Sequence, residues 1–160
     1  MERRSFTASL GFAALLAGLL ATGWLAAPLP ASSAPPAADV RVENAWIPEP
    51  PPGTNVAAAY LTLRNVGRTP AVLIGVSSPV AGSAMVHRSM VRNGESMMMP
   101  VERLTIPPGK AVTLEPDGLH VMLNSVRRPL HVGERVLLVL RFAGGEEIHV
   151  TAQVRPLGSQ

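Results

Sequence analysis

Six of the seven methionines and two of the four histidines of this chain lie between positions 85 and 122, while residues 39–84 contain neither type. Inside that cluster, "SAMVHRSMV" (83–91) and "LHVMLN" (119–124) alternate as β-strands do, with successive side chains on opposite faces. Met85, His87 and Ser89 therefore share one face of the first strand, and His120 and Met122 share one face of the second. Between them, "SMMMP" (96–100) sets Met97, Met98 and Met99 beside a glycine-containing turn. Three consecutive thioethers cannot all face one core, so at least one looks outward or across a loop. One strand thus offers His87, another offers His120 with Met122, and the methionine run offers a fourth donor.

A thioether is a soft, neutral ligand and imidazole suits copper, so a His/Met set selects copper, above all Cu(I), over Mg²⁺ or Ca²⁺. Zinc would recruit cysteine, further histidines or a carboxylate. The chain has no cysteine. That excludes disulfides, thiolate nucleophiles, zinc fingers and thiolate-ligated copper. Thioethers need no deprotonation and form no disulfides, so they can hold Cu(I) in an oxidising space. They can also surrender it to a partner bearing thiolates. Imidazole must be neutral to bind a metal, so affinity is expected to weaken below about pH 6.

The elements that must carry these donors are short strands. From Asp39 onward, strand signals run through 40–46, 56–65, 71–78, 83–91, 97–106, 111–116, 119–124, 135–142 and 146–156, with turn residues between them. The last two read as a hairpin around Gly144-Gly145. No amphipathic helix of useful length and no internal repeat is present. With sixteen Pro and fourteen Gly dispersed rather than periodic, the expected fold is an all-β antiparallel sandwich or barrel of about nine short strands. Only three Phe, two Trp and one Tyr occur, so its core must be built mainly from Val, Leu, Ile, Ala and Met.

The N-terminus speaks to the compartment. Two arginines open the chain, an apolar run follows from about Leu10 to Ala27, and a stretch of Ala, Ser and Pro leads to Asp39. This is the layout of a cleaved export signal. Arg3-Arg4-Ser5-Phe6 also resembles the core of a twin-arginine signal, with the rest of that motif only partly met. The competing reading is a membrane anchor, for which the run is of borderline length and interrupted by three glycines. Residues 1–38 are thus expected to be an export signal with a Pro/Ala-rich linker, and residues 39–160 one domain. The net charge of +3 comes from scattered arginines, without the basic cluster and interleaved aromatics of a nucleic-acid surface.

Ten residues separate His87 from Met98, twenty-one separate Met98 from His120, and one separates His120 from Met122. This spacing matches the H-x10-M-x21-H-x-M motif of the copper chaperones called PCu(A)C, which the chain resembles over nearly all of residues 42 to 155. "AAAYLTLRN" (57–65), "MPVERLTIPPGKAVTLEPDGLHVML" (99–123) and "RPLHVGERVLLVLRF" (128–142) are similar to the family's strands. The resemblance implies a cupredoxin-like sandwich holding one Cu(I) near its surface with His87, Met98, His120 and Met122. Met97 and Met99 flank Met98, and a one-residue shift would exchange them; the position two residues before Pro100 favours Met98. Met90 is left out because alternation points it away from His87. Met85 is expected to be a core filler, and His131 and His149 surface or turn residues. The second copper site that some relatives carry in a His- and Met-rich tail is not expected in a chain ending "RPLGSQ".

The implied function is an extracytoplasmic or periplasmic Cu(I) metallochaperone. Its destination would be the dinuclear copper site of cytochrome c oxidase, reached directly at the copper-bearing subunit or through a thioredoxin-like copper chaperone. The alternatives are an exported copper-sequestering or tolerance protein, and a metal-free β-sandwich interaction module. Blue-copper electron transfer lacks its thiolate. An enzyme lacks a nucleophile–base pairing, and four protein ligands would leave no open metal position for a substrate. Neither nucleic acid nor a small-molecule substrate is expected, and membrane contact only through an uncleaved signal segment.

Overall fold

The computed structural model describes residues 39–158; the expected export signal and linker lie outside the described residues. Ten strands follow in chain order: β1 (Val40–Pro48), β2 (Val56–Asn65), β3 (Ala71–Ser77), β4 (Ser83–Arg92), β5 (Glu95–Pro100), β6 (Leu104–Ile106), β7 (Ala111–Leu114), β8 (Leu119–Asn124), β9 (Arg135–Phe142) and β10 (Glu147–Arg155). This is one more than expected, because the segment read as 97–106 divides. Its first half pairs with β4 and its second half with β3, so the chain changes partner over residues 101–103.

Hydrogen bonding runs in the order β4-β8-β2-β1-β10-β9-β3 and returns from β3 to β4 through Val76 opposite Ala84. β5 extends the sheet beyond β4, β6 lies beyond β3, and β7 pairs with β2. The architecture is the expected cupredoxin-like all-β fold, with one departure from a purely antiparallel arrangement. β1 and β10 run parallel. A closed ring of seven strands cannot alternate direction all the way round, so one parallel seam is obligatory. It joins the first strand to the last.

Alternation along each strand explains the core. Leu61, Leu63, Val121, Leu123, Val136, Leu138, Leu140 and Phe142 are almost fully buried, and Phe142 is the one aromatic among the buried hydrophobic residues. The Val, Leu, Ile and Ala expected from composition are there, but the methionine expected with them is not. None of the described methionines is buried: Met122 is half-buried, and Met85, Met90, Met97, Met98 and Met99 are exposed. The expectation that Met85 fills the core is therefore wrong. Val86, one residue on, takes the inward position and leaves Met85 outside.

Among the described residues three polar side chains are buried, Asn65, Ser78 and His120, and Asn65 is the deepest. Asn65 is buried, its amide nitrogen donates to the Thr69 and Ile106 carbonyls at 2.7 and 2.9 Å, and its oxygen accepts from the Gly67 backbone N–H at 2.9 Å. Every bond it makes goes to backbone, so it ties the end of β2 to its following turn and to β6.

Candidate metal centre

The site is assembled on the outer face of β8, β4 and β5. β4 and β8 are antiparallel, with His87 opposite His120 and Met85 opposite Met122. Directly opposed residues share a face with Cβ atoms about 4.5–5.5 Å apart. The inward residues Val86 and Val121 form the intervening pair, with Leu123 next along β8, so the His/Met pairs are forced outward. The two imidazole rings lie 6.0 Å apart between centroids, with their planes 29° from parallel.

The two rings are held differently. His120 is 4% exposed, and its Nδ1 lies 3.3 Å from the Gly118 carbonyl oxygen. A carbonyl can only accept, so Nδ1 is the donor in this contact, and in the neutral ring that leaves the Nε2 lone pair for a metal. Gly118 belongs to the turn between β7 and β8, where Asp117 adopts φ 62°. The same carbonyl accepts the Ser89 backbone N–H at 3.0 Å, so one oxygen fixes His120 and anchors β4 beside it. His87 is half-buried and its Nδ1 is buried without a hydrogen-bond partner. A buried unpaired nitrogen costs about 1–3 kcal/mol. A metal–nitrogen bond would offset that cost, so the residues present fit a soft ion.

The register places each of the three consecutive methionines. Ser89 is opposite Met98 and His87 is opposite Pro100, whereas Met97 and Met99 oppose Met90 and Arg88. Met98 therefore lies on the histidine face, and Met97 and Met99 lie on the reverse. The run is part of a strand rather than a turn; the turn is the two residues Asn93-Gly94, with φ of 54° and 82°, the backbone of a tight type I′ hairpin. Met98 is a diagonal neighbour of His87 on one side and Met122 is a diagonal neighbour on the other. Such pairs are about 7–8 Å apart, within reach of a long side chain. His87 is thus the hub, with His120 directly beside it.

Sequence reasoning missed three groups near these donors. Met85 is 45% exposed and fills the fourth corner of a square with His87, His120 and Met122. Alternation had put it on the right face, and only the assumption of a core role removed it. The Gly118 carbonyl has no side-chain signature at all. Tyr60 is two residues along β2 from Ala58, which is opposite Met122, and so lies on the same face of that strand. It packs at 4.8 Å on Trp46, whose ring lies 5.6 Å from the Arg155 guanidinium. Burial, then the nearby Asp117 carboxylate, raises the Tyr60 hydroxyl pKa above its ordinary value.

The remaining histidines stand apart from this face. His149 is exposed on β10, and His131 is exposed with its Nδ1 3.7 Å from the Glu49 carboxylate. Among the described residues, no group of three or more His, Cys, Asp or Glu could hold a metal ion. A hard-ion or zinc centre thus has no candidate there, and the donors that share the outer face are nitrogen and thioether sulfur.

Comparison with known proteins bears on the family and the fold. Residues 40–154 match the family model described as "LpqE-like: Putative lipoprotein LpqE-like". The chain is 35% identical over 147 residues to "Putative lipoprotein Lxx21020" of Leifsonia xyli subsp. xyli (strain CTCB07), covering 89% of this chain and 86% of that relative. Among solved structures, CuI-DR1885 from Deinococcus radiodurans is 35% identical, with a TM-score of 0.58 over 78% of this chain and 81% of that one. The copper-bound PCuAC domain from PmoF2 is 25% identical, with a TM-score of 0.64 over 76% of this chain and 97% of that one. The chain belongs to the LpqE-like family, of the PCu(A)C type of copper chaperone.

Proposed function

We propose that this protein is an exported Cu(I) carrier that binds one ion with His87, Met98, His120 and Met122 and passes it on by ligand exchange. The observation that carries the reading is the His87–His120 cross-strand pair, with centroids 6.0 Å apart, flanked on one face by thioethers. Its relatives support the choice of metal, since one is copper-bound and another is the CuI form. Two imidazoles and two thioethers bind Cu(I) less tightly than paired thiolates would. Transfer to a cysteine-bearing acceptor is then downhill. Met85, beside His87 and opposite Met122, is a spare thioether that can replace Met98 while the ion leaves.

The destination in this proposal is the dinuclear copper site of cytochrome c oxidase, reached directly or through a thioredoxin-like copper chaperone. Residues 1–38 direct export, and residues 39–160 do the work in the periplasm or its equivalent. The lipoprotein names of the family and of its relative support an envelope location. None of these 160 residues is a cysteine that could carry a lipid thioether, so membrane contact is assigned to an uncleaved N-terminal segment.

X-ray absorption on the Cu(I)-loaded protein tests the donor set. Two nitrogens and two sulfurs are expected, and a site without sulfur would overturn it. Mixing the loaded protein with the reduced copper-bearing fragment of the oxidase, or with a thioredoxin-like chaperone, tests the destination. Copper should move to the thiolates; retention by this protein in both mixtures would favour sequestration instead.

A further inference from the structure

The reverse face of the β4–β5 hairpin carries three thioethers that the histidine site does not use. Met90 is directly opposite Met97, and Met99, two residues along β5, is the diagonal neighbour of Met90. Their exposures are 40%, 44% and 50%. They lie between the edge of the core, marked by the buried Val86, and the Asn93-Gly94 turn. Thioethers so exposed do little core packing. Opposed Cβ atoms sit about 4.5–5.5 Å apart and the diagonal pair about 7–8 Å. Methionine has three flexible torsions, so the sulfurs can close on a common point.

We propose that Met90, Met97 and Met99 form a second, sulfur-only site for a soft monovalent cation, Cu(I) or Ag(I), back to back with the histidine site. Its selectivity follows from the donors, because thioethers are soft and neutral and offer nothing to Mg²⁺, Ca²⁺ or Zn²⁺. The charged groups on the same face are Arg88, opposite Met99, and the directly opposed pair Arg92 and Glu95, whose charges offset each other. Arg88 repels a cation at this position, and no imidazole contributes. The site therefore fills after the histidine site. With both sites occupied, the hairpin carries a monovalent ion on each face.

The test is a titration of the full chain, in mild detergent and with ¹³C-methyl methionine, against silver nitrate. The first equivalent should shift the Met98 and Met122 methyls, and the second should shift those of Met90, Met97 and Met99. The triple variant M90L/M97L/M99L should lose the second equivalent and keep the first. H87A/H120A should lose the first and keep the Met90, Met97 and Met99 shifts, which separates failure of one site from failure of the other. Because the triple variant could perturb the hairpin, the single variant M97L should by itself weaken the second step and leave the first unchanged. Zinc sulfate should move none of the three reverse-face methyls. Reverse-face methyls unmoved by excess silver, or a second equivalent retained in the triple variant, would overturn the proposal.

Discussion

At the scale of single residues, the two histidines differ in what removal should do. His120 is buried and tied through Nδ1 to the Gly118 carbonyl. His120→Ala should lower Cu(I) affinity by more than about 100-fold, beyond the usual cost of losing an outer partner, while cooperative unfolding persists. A competition titration with a chromophoric Cu(I) chelator reads the first, and a denaturant melt the second; unchanged affinity would remove this histidine from the site. Tyr60 gives a pH-dependent prediction. Its folded pKa is raised above 10.0 by burial and by Asp117. Stability from keeping it protonated is therefore complete below its unfolded pKa near 10 and is lost as pH rises through the higher folded value. Tyr60→Phe should remove that alkaline loss, so urea melts at pH 9 and pH 11 should differ less in the variant than in the parent.

At the scale of elements, the β4–β5 hairpin decides which thioether meets the histidines. Its turn residues Asn93 and Gly94 both have positive φ, a backbone suited to the two-residue type I′ connection. A turn of another length would shift the register and exchange the faces of Met97, Met98 and Met99. Gly94→Ala puts a side chain where φ is 82°, and should cost about 1 kcal/mol or more. It should also weaken Cu(I) binding through Met98 while the His87–His120 pair, held by β8, persists. Met98→Leu should reproduce the loss of affinity without the loss of stability. Chelator competition on Gly94→Ala, Met98→Leu and Met97→Leu separates the cases, since Met97→Leu should leave the histidine site untouched.

At the scale of the whole molecule, the site rides on a barrel whose seven-strand ring closes through the single pair Val76 and Ala84. The interior, not the metal, holds the apo fold. Leu138 is fully buried, and Leu138→Ala should cost about 2–5 kcal/mol. Its Cu(I) affinity should stay that of the parent wherever the variant is folded, because β9 contributes no donor. Ligand binding adds stability by mass action, about 2.7 kcal/mol at a free ion concentration 100 times the Kd. Cu(I) should therefore raise the melting temperature of the parent and of Leu138→Ala alike, and fail to do so through the histidine site in H87A/H120A. Calorimetry with and without Cu(I) reads both effects.

What the sequence determined by itself was local and periodic. Alternation marked the strands and the faces of His87 and of His120 with Met122; composition named the Val, Leu, Ile and Ala of the interior but wrongly added Met, and the absence of cysteine excluded thiolate ligands. Three-dimensional pairing decided the rest. It made β1 and β10 parallel, divided the segment 97–106, and put Met98 on the histidine face with Met97 and Met99 behind it. It also turned Met85 from an expected core residue into a neighbour of the site. Period-2 alternation assigns a residue to a face of its own strand, but not to a partner across the sheet. That assignment follows from turn length and from which strands the closing barrel brings together, and both are properties of the folded chain as a whole.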